Sequence, residues 1–172
     1  MKLIKQNDEI FYAEGPIIRV GSDEIDFLKA RATENPRGMA RLCAHPGVDD
    51  ALHEMLIVLS RACCIPPHKH LGKSESFHLV EGKLTVVIFT DEGKVREVIP
   101  MAPPGSGEMF FYRLSEALYH TVVPMSEFVV FHETTNGPFR REDMQFAVWA
   151  PGEDAPREDR EAFVQELIQQ FP

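Results

Sequence analysis

Basic side chains are scarce in this sequence. Its 172 residues carry 18 Lys and Arg against 27 Asp and Glu, a net charge of −9. That balance argues against a nucleic-acid backbone or an anionic membrane as the main partner. Long apolar runs are missing as well. The longest, Met55–Leu59, is far short of the ~20 residues that a membrane-spanning helix needs. The opening MKLIKQNDEI has no apolar core of the kind that marks a secretory signal. Cysteine is sparse, three in all with Cys63 and Cys64 adjacent, which makes a poor disulfide framework. There is no repeat, no low-complexity tract, no Gly-x-Ser-x-Gly and no Gly-x4-Gly-Lys-Ser/Thr, so acyl-transfer and phosphate-cradle signatures are absent. Gly105-Ser106-Gly107 follows two prolines and is not followed by a helical pattern. These absences lead to the expectation of a soluble, cytoplasmic single domain, which at this length buries roughly 70% of its unfolded surface without disulfides.

What the chain has in quantity is strand pattern. Runs of β-branched, aromatic and aliphatic residues occupy Glu54–Ser60, Glu75–Glu81, Leu84–Thr90, Val95–Pro100, Glu108–Tyr112, Tyr119–Met125 and Phe128–Thr134. Leu71-Gly72-Lys73-Ser74, Glu81-Gly82-Lys83, Asp91-Glu92-Gly93 and Pro124-Met125-Ser126-Glu127 are short enough to join antiparallel neighbours. A mainly β fold follows, a sandwich or small barrel with no room for crossover helices. Helical patterns are confined to the ends. Ser22 reads as an N-cap before Asp23 and Glu24, with Ile25, Leu28 and Ala32 at helical spacing until Asn35-Pro36. Near the C-terminus, Pro156 fits a first turn, and Phe163, Val164, Leu167, Ile168 and Phe171 form one apolar face over about Arg157–Gln170.

The chemically informative segment is Pro66-Pro67-His68-Lys69-His70-Leu71-Gly72-Lys73-Ser74-Glu75. Residues two apart in a strand share a face, so His68 and His70 can present both imidazoles to one point. The two prolines restrict the backbone just before them. A turn at Gly72 reverses the chain, and Glu75 opens the next strand with its carboxylate able to face the same interior. Two imidazole nitrogens and a carboxylate on adjacent strands are a donor set for a divalent metal with open positions. In a chain with seven His, about 0.3 His-x-His pairs arise by chance, and adding Glu75 and Gly82 at their spacing lowers this to roughly 0.004.

Among the other histidines, His120 lies about 50 residues on, in the Tyr119–Met125 strand, a separation that suits a ligand from an opposing strand. His78 is three residues from Glu75 and should point to the opposite face. His45, His53 and His132 are expected to be hydrogen-bonded core or surface residues. Cys63 and Cys64 lack ligand spacing and read as small buried strand residues, the alternative being a redox-sensitive thiol near the site. Glu133, Arg113, Lys73 and Tyr119 are acid–base candidates by proximity in the expected hairpins, and none is singled out as catalytic.

The spacing His-x-His-x4-Glu-x6-Gly resembles the first motif of the cupin superfamily. Together with YHTVVP, HETTNGPF and FAVWAPGED, the segment PHKHLGKSESFHLVEGKLTVVIF resembles the small cupin-fold metalloproteins of the WbuC family over roughly residues 37–154. Departures are present. Ala62 stands where the first motif usually opens on Gly, and Ser115, Ala117, Met109 and Pro124 replace the usual Pro, Gly, Gly and Asn of the second. The resemblance implies a double-stranded β-helix, a two-sheet jelly-roll barrel, with one divalent metal held by His68, His70, Glu75 and His120.

The organisation expected on this basis is an N-terminal helical extension packing on the barrel over residues 1–50, the barrel over 51–136, and an irregular segment with a helix over 137–172. The ion would be Zn, Fe, Mn, Ni or Co. The expected function is action on, or binding of, an oxygen-rich small molecule such as a sugar or sugar derivative, with isomerase/epimerase-like or oxygenase-like metal chemistry. The alternative is a non-catalytic metal-dependent binding module or a metal-stabilised scaffold. Because the WbuC family is associated with surface-polysaccharide gene sets, a role in polysaccharide biosynthesis is implied by analogy. A homodimer is expected from the exposed edges of such sheets.

Overall fold

A computed structural model describes residues 1–171. In chain order the elements are β1 (Lys2–Lys5), β2 (Ile10–Glu14), α1 (Ser22–Glu34), β3 (Met39–Cys43), β4 (Leu52–Ser60), β5 (His68–His70) and β6 (Glu75–Glu81). There follow β7 (Leu84–Phe89), β8 (Val95–Met101), β9 (Phe111–Leu114), β10 (Tyr119–Pro124), β11 (Phe128–Asn136), β12 (Met144–Phe146) and α2 (Arg157–Ile168). The strands form two sheets, β1-β2-β3-β4-β11-β6-β9 and β12-β5-β10-β7-β8. Between these strands every ladder is antiparallel except that of β2 with β3. The expected mainly β, two-sheet jelly-roll barrel is the fold observed. None of its described helices is long and apolar enough to cross a membrane.

Strict alternation sorts the side chains. Phe77 and Leu79 of β6, Val86 and Ile88 of β7, Val122 of β10 and Phe131 of β11 meet between the sheets in the main core. On the outer face of the larger sheet, Leu28 and Ala32 of α1 cover Ala40, Leu42, Val58 and Val130. On the outer face of the smaller sheet, Phe163, Val164, Leu167 and Ile168 of α2 cover Val87, Phe89 and Val123. Each helix thus seals one sheet with the apolar stripe that its sequence period displays.

Four expectations need correction. First, the N-terminal residues are not a helical extension: β1, β2 and β3 lengthen the larger sheet, and only Ser22–Glu34 is α-helical. Their short runs become strands because β3 pairs with β4 and β2 then adds to β3, a partnership that local pattern does not display. Likewise, the irregular segment after residue 136 supplies β12, which pairs with β5.

Second, Ser22 is the first helical residue and Gly21 the cap. The Glu24 carboxylate accepts the Gly21 N–H at 2.8 Å, and the helix ends at Asn35 before Pro36, as its sequence implies. Third, the Glu108–Tyr112 strand lies later, at Phe111–Leu114. Fourth, only the Asp91-Glu92-Gly93 turn joins paired neighbours, β7 and β8. The turns at Leu71–Ser74, Glu81–Lys83 and Met125–Glu127 carry the chain from one sheet to the other. A tight turn reverses direction, but whether its flanks pair or face each other is settled by the barrel. At the second of these corners, Gly82 has φ +81°, and a Cβ there would run into the Phe128 carbonyl oxygen.

Candidate metal centre

His68 and His70, on alternate positions of β5, both point between the sheets, while Lys69 points outward onto the Tyr119 ring and Asp91. His120 of β10 lies directly across from His68 in the ladder. The three imidazoles offer nitrogens that all lie within 4.8 Å of one another. Glu75 comes from the facing sheet at the start of β6, which corrects two expectations. The carboxylate, not His120, is the donor on the opposing wall, and His120 is the hydrogen-bonded neighbour of the His-x-His strand.

The backbone sets the tautomers. His68 Nδ1 is 2.9 Å from the Pro66 carbonyl oxygen, and His120 Nδ1 is 3.0 Å from that of Leu118. A carbonyl only accepts, so each Nδ1 carries the proton and each Nε2 keeps a free lone pair, the arrangement of metal-ligating histidines. Glu75 Oε1 is 3.0 Å from His120 Nε2, and Glu75 Oε2 is 3.5 Å from His70 Nε2. The two atoms of the closer pair are buried yet not aligned as a hydrogen bond, and neither has another partner among the described residues. Buried polar atoms are rarely left so. Lone pairs and a carboxylate oxygen converging without a donor proton fit a cation between them.

Electrostatics agree with it for His68 and His70 and, with no ion between them, draw His120 and Glu75 together as a pair. Burial and the neighbouring imidazoles of His120 and His70 hold His68 down to about 3, so it is neutral at physiological pH. Burial likewise lowers His70. Burial opposes ionisation of Glu75, but the adjoining imidazoles, His120 foremost, outweigh it and keep the carboxyl below its usual range. His120 is raised because Glu75 overcomes its own burial.

The cluster lies in a cavity of about 300 Å³ between the sheets, whose other walls include Ile10, Met39, Ile57, Phe77 and Phe131. Its rim is tied by Arg37, 3.3 Å from Glu9 and 3.2 Å from Glu153, and by Arg141, 2.7 Å from Glu153. A second hollow of about 190 Å³ shares Arg41, His70 and Glu133 with the first.

Of the acid–base candidates, Glu133 of β11 enters the cavity. Burial, with the charge of Glu75 second, pushes its carboxyl up to about 8 against the smaller opposing effects of Arg41 and His120. Arg113 is exposed. Lys73 is bound to the Asn136 and Pro138 carbonyls, and Tyr119 packs against Trp149 on the barrel's outside. As expected, His78 points outward beside Phe110, and His132 is on the outer face near Glu54. His45 and His53 are buried and stack at 4.0 Å. Cys63 is buried and its thiol pushed up to about 12 by burial, then by Cys64. Neither Cys63 nor Cys64 lies in a strand or lines the cavity, which corrects the strand placement and removes the reading of a thiol at the site.

Arg41 and the rim residues were not apparent from motif spacing. The available signal was a lone charge inside the apolar run Met39–Cys43.

A family model described as Domain of unknown function (DUF6016) matches residues 20–101. No curated protein matches the sequence. Among solved structures, protein SO0799 from Shewanella oneidensis is 13% identical over 75% of this chain and 85% of its own, with a TM-score of 0.56. The Cnp3 cupin domain of Schizosaccharomyces pombe is 12% identical over 57% of this chain and 64% of its own, with a TM-score of 0.45. A putative sugar phosphate isomerase from Acidithiobacillus ferrooxidans is 18% identical over 51% of each chain, with a TM-score of 0.41. At 13% identity the likeness to protein SO0799 is one of fold.

Proposed function

We propose that this protein is a cupin-type metalloprotein, similar to the WbuC family, that holds one divalent ion through His68, His70, His120 and Glu75. In this reading it acts on, or binds, an oxygen-rich small molecule such as a sugar or sugar derivative. The observation that carries the reading is the convergence of free imidazole nitrogens on a buried, unpartnered carboxylate oxygen inside an open cavity. A scaffold whose ion served folding alone would have no use for the adjoining space.

A bound divalent ion would supply Lewis-acid polarisation of ligand oxygens, with its identity among Zn, Fe, Mn, Ni and Co left open by the mixed donor set. The chain's own residues do the rest. The Pro66 and Leu118 carbonyls hold two imidazoles in register. The apolar walls exclude water from a small ligand. Glu133, protonated near neutral pH, can hold or yield a proton at its carboxyl oxygen within the same cavity. That supports isomerase- or epimerase-like proton movement over oxygenase-like chemistry, for which no residue speaks. A place in polysaccharide biosynthesis rests on the family resemblance. Homodimer formation rests on the free edges β1, β9, β8 and β12, and light scattering of the purified protein decides it.

The deciding experiment is elemental analysis of the purified protein beside His68→Ala. One ion per chain in the wild type and loss in the variant is the expected result. A wild type without stoichiometric metal, or a variant that keeps it, sinks the reading. Proton exchange with solvent at a bound ligand's C–H would then separate enzyme from binding module.

A further inference from the structure

We propose that the ligand of this cavity is a small hydroxycarboxylate whose carboxylate is held by the guanidinium of Arg41, with its hydroxyl side toward the histidine cluster. The inference rests on the metal reading for the hydroxyl side alone.

The placement of Arg41 is unusual for its strand. Within β3, Ala40 and Leu42 lie under α1, whereas Met39 and Cys43 belong to the core between the sheets. Alternation therefore puts Arg41 on the inner face, where it pairs in register with Ile57 of β4 and Ile10 of β2. It lines both the metal cavity and the adjoining hollow. Its Nε is buried and has no hydrogen-bond partner among the described residues.

The other cations nearby are engaged or exposed. Arg37 and Arg141 are tied to Glu9 and Glu153 at the rim, and Lys73 to two carbonyls and to Asp143 at 3.5 Å. Arg140 stands exposed on the outer side of the second hollow. Of the three arginines around the metal cavity, Arg41 alone has no ion pair among the described residues. Glu133 shares the cavity without coming within ion-pair distance.

A half-buried guanidinium without a partner costs stability, and a structure that keeps one offers it to a ligand. Its planar fork matches a carboxylate, which takes two parallel N–H···O bonds. One free positive charge balances one negative charge. A phosphate dianion would instead bring a second, unbalanced charge toward Glu75 in the same space. The cavity, about 300 Å³, sits at the small end of ligand sites, so the molecule is of hydroxy-acid to sugar-acid size.

The test is the binding of glycolate, lactate, glycerate and gluconate, against glycerol, glucose and inorganic phosphate. Wild type, Arg41→Met and Arg41→Lys are compared by calorimetry and melting temperature, each metal-loaded and chelator-stripped. At least one hydroxycarboxylate should bind the wild type. Arg41→Met should weaken that binding about tenfold or more, and Arg41→Lys, which keeps the charge and loses the fork, by an intermediate factor. Without ligand, Arg41→Met should melt no lower than the wild type, because the change removes an unpaired charge and fills the same space. The proposal is overturned if no carboxylate binds, if only phosphate or the neutral molecules bind, if Arg41→Met or Arg41→Lys binds like the wild type, or if unliganded Arg41→Met melts far lower, which would make Arg41 structural. Metal content is measured on the same samples. Absence of metal would sink the proposed centre, while an Arg41-dependent carboxylate response of stripped protein would still uphold this assignment.

Discussion

The two halves of the barrel interior are built from the same strands and have opposite chemistry. Along β6 the inward positions run Glu75, Phe77, Leu79; along β11 they run Glu133, Phe131, Val129; along β10, His120 then Val122. At one end the sheets close on Leu79, Leu84, Val86 and Met101, all nearly inaccessible to water. At the other they bring together three imidazoles and two carboxyls, with Arg41 beside them. The apolar half gains stability from burial and tight packing. The polar half carries desolvated charges that burial disfavours, a cost that sites for chemistry accept. Stability and function are thus separated by a few residues along each strand.

Mutations can break that separation or confirm it. Glu75→Gln should cost most of the bound metal while the chelator-stripped protein keeps its fold, as read by elemental analysis and circular dichroism; retention of metal would remove Glu75 from the ligand set. Leu79→Ala should do the reverse, destabilising by about 2–5 kcal/mol in denaturant titration with metal content unchanged. If each variant lost both properties, the two halves would be one cooperative unit.

Glu133→Gln should have a smaller, pH-dependent effect. The folded carboxyl is raised to about 8 from its ordinary value, so the folded state holds a proton that the unfolded chain releases at lower pH. Its stabilising contribution is full below the unfolded value, near 4.5, and is lost as pH rises through about 8. In stripped protein, Glu133→Gln should abolish that loss, so its advantage over the wild type grows across this window; parallel stability profiles would show that Glu133 ionises normally. The least effect is expected from Arg37→Ala at the rim. The Arg37 side chain is 44% exposed, and its ion pairs should be worth no more than about 1 kcal/mol.

Legibility from sequence followed the range of the interactions. The helix at Ser22–Glu34, its stop at Asn35-Pro36 and the apolar face of α2 depend on neighbours within a turn or two, and they were readable. So were the long central strands, because an apolar run such as Leu84–Phe89 has few alternatives. The strands β1, β2, β3 and β12 were not, since runs of three to five residues become strands only when a sheet edge is offered. The same limit applies to the site. His68, His70 and Glu75 were visible from spacing, and His120 from family resemblance. The inward approach of Arg41 depended on β3 joining β4.

By itself the amino-acid sequence determined a mainly β chain of acidic charge, with a rare His-x-His…Glu spacing set beside a glycine turn. Those properties belong to residue types and short separations, and they survive in any fold that makes β5 and β6 extended. The tertiary structure decided which wall each donor occupies, that Glu133 shares the cavity while Arg113, Lys73 and Tyr119 do not, and that one arginine of β3 lies inside the barrel without a partner among the described residues. These outcomes depend on pairing and register between strands far apart in sequence, and a register slip of one residue would have turned every one of those side chains to the opposite face.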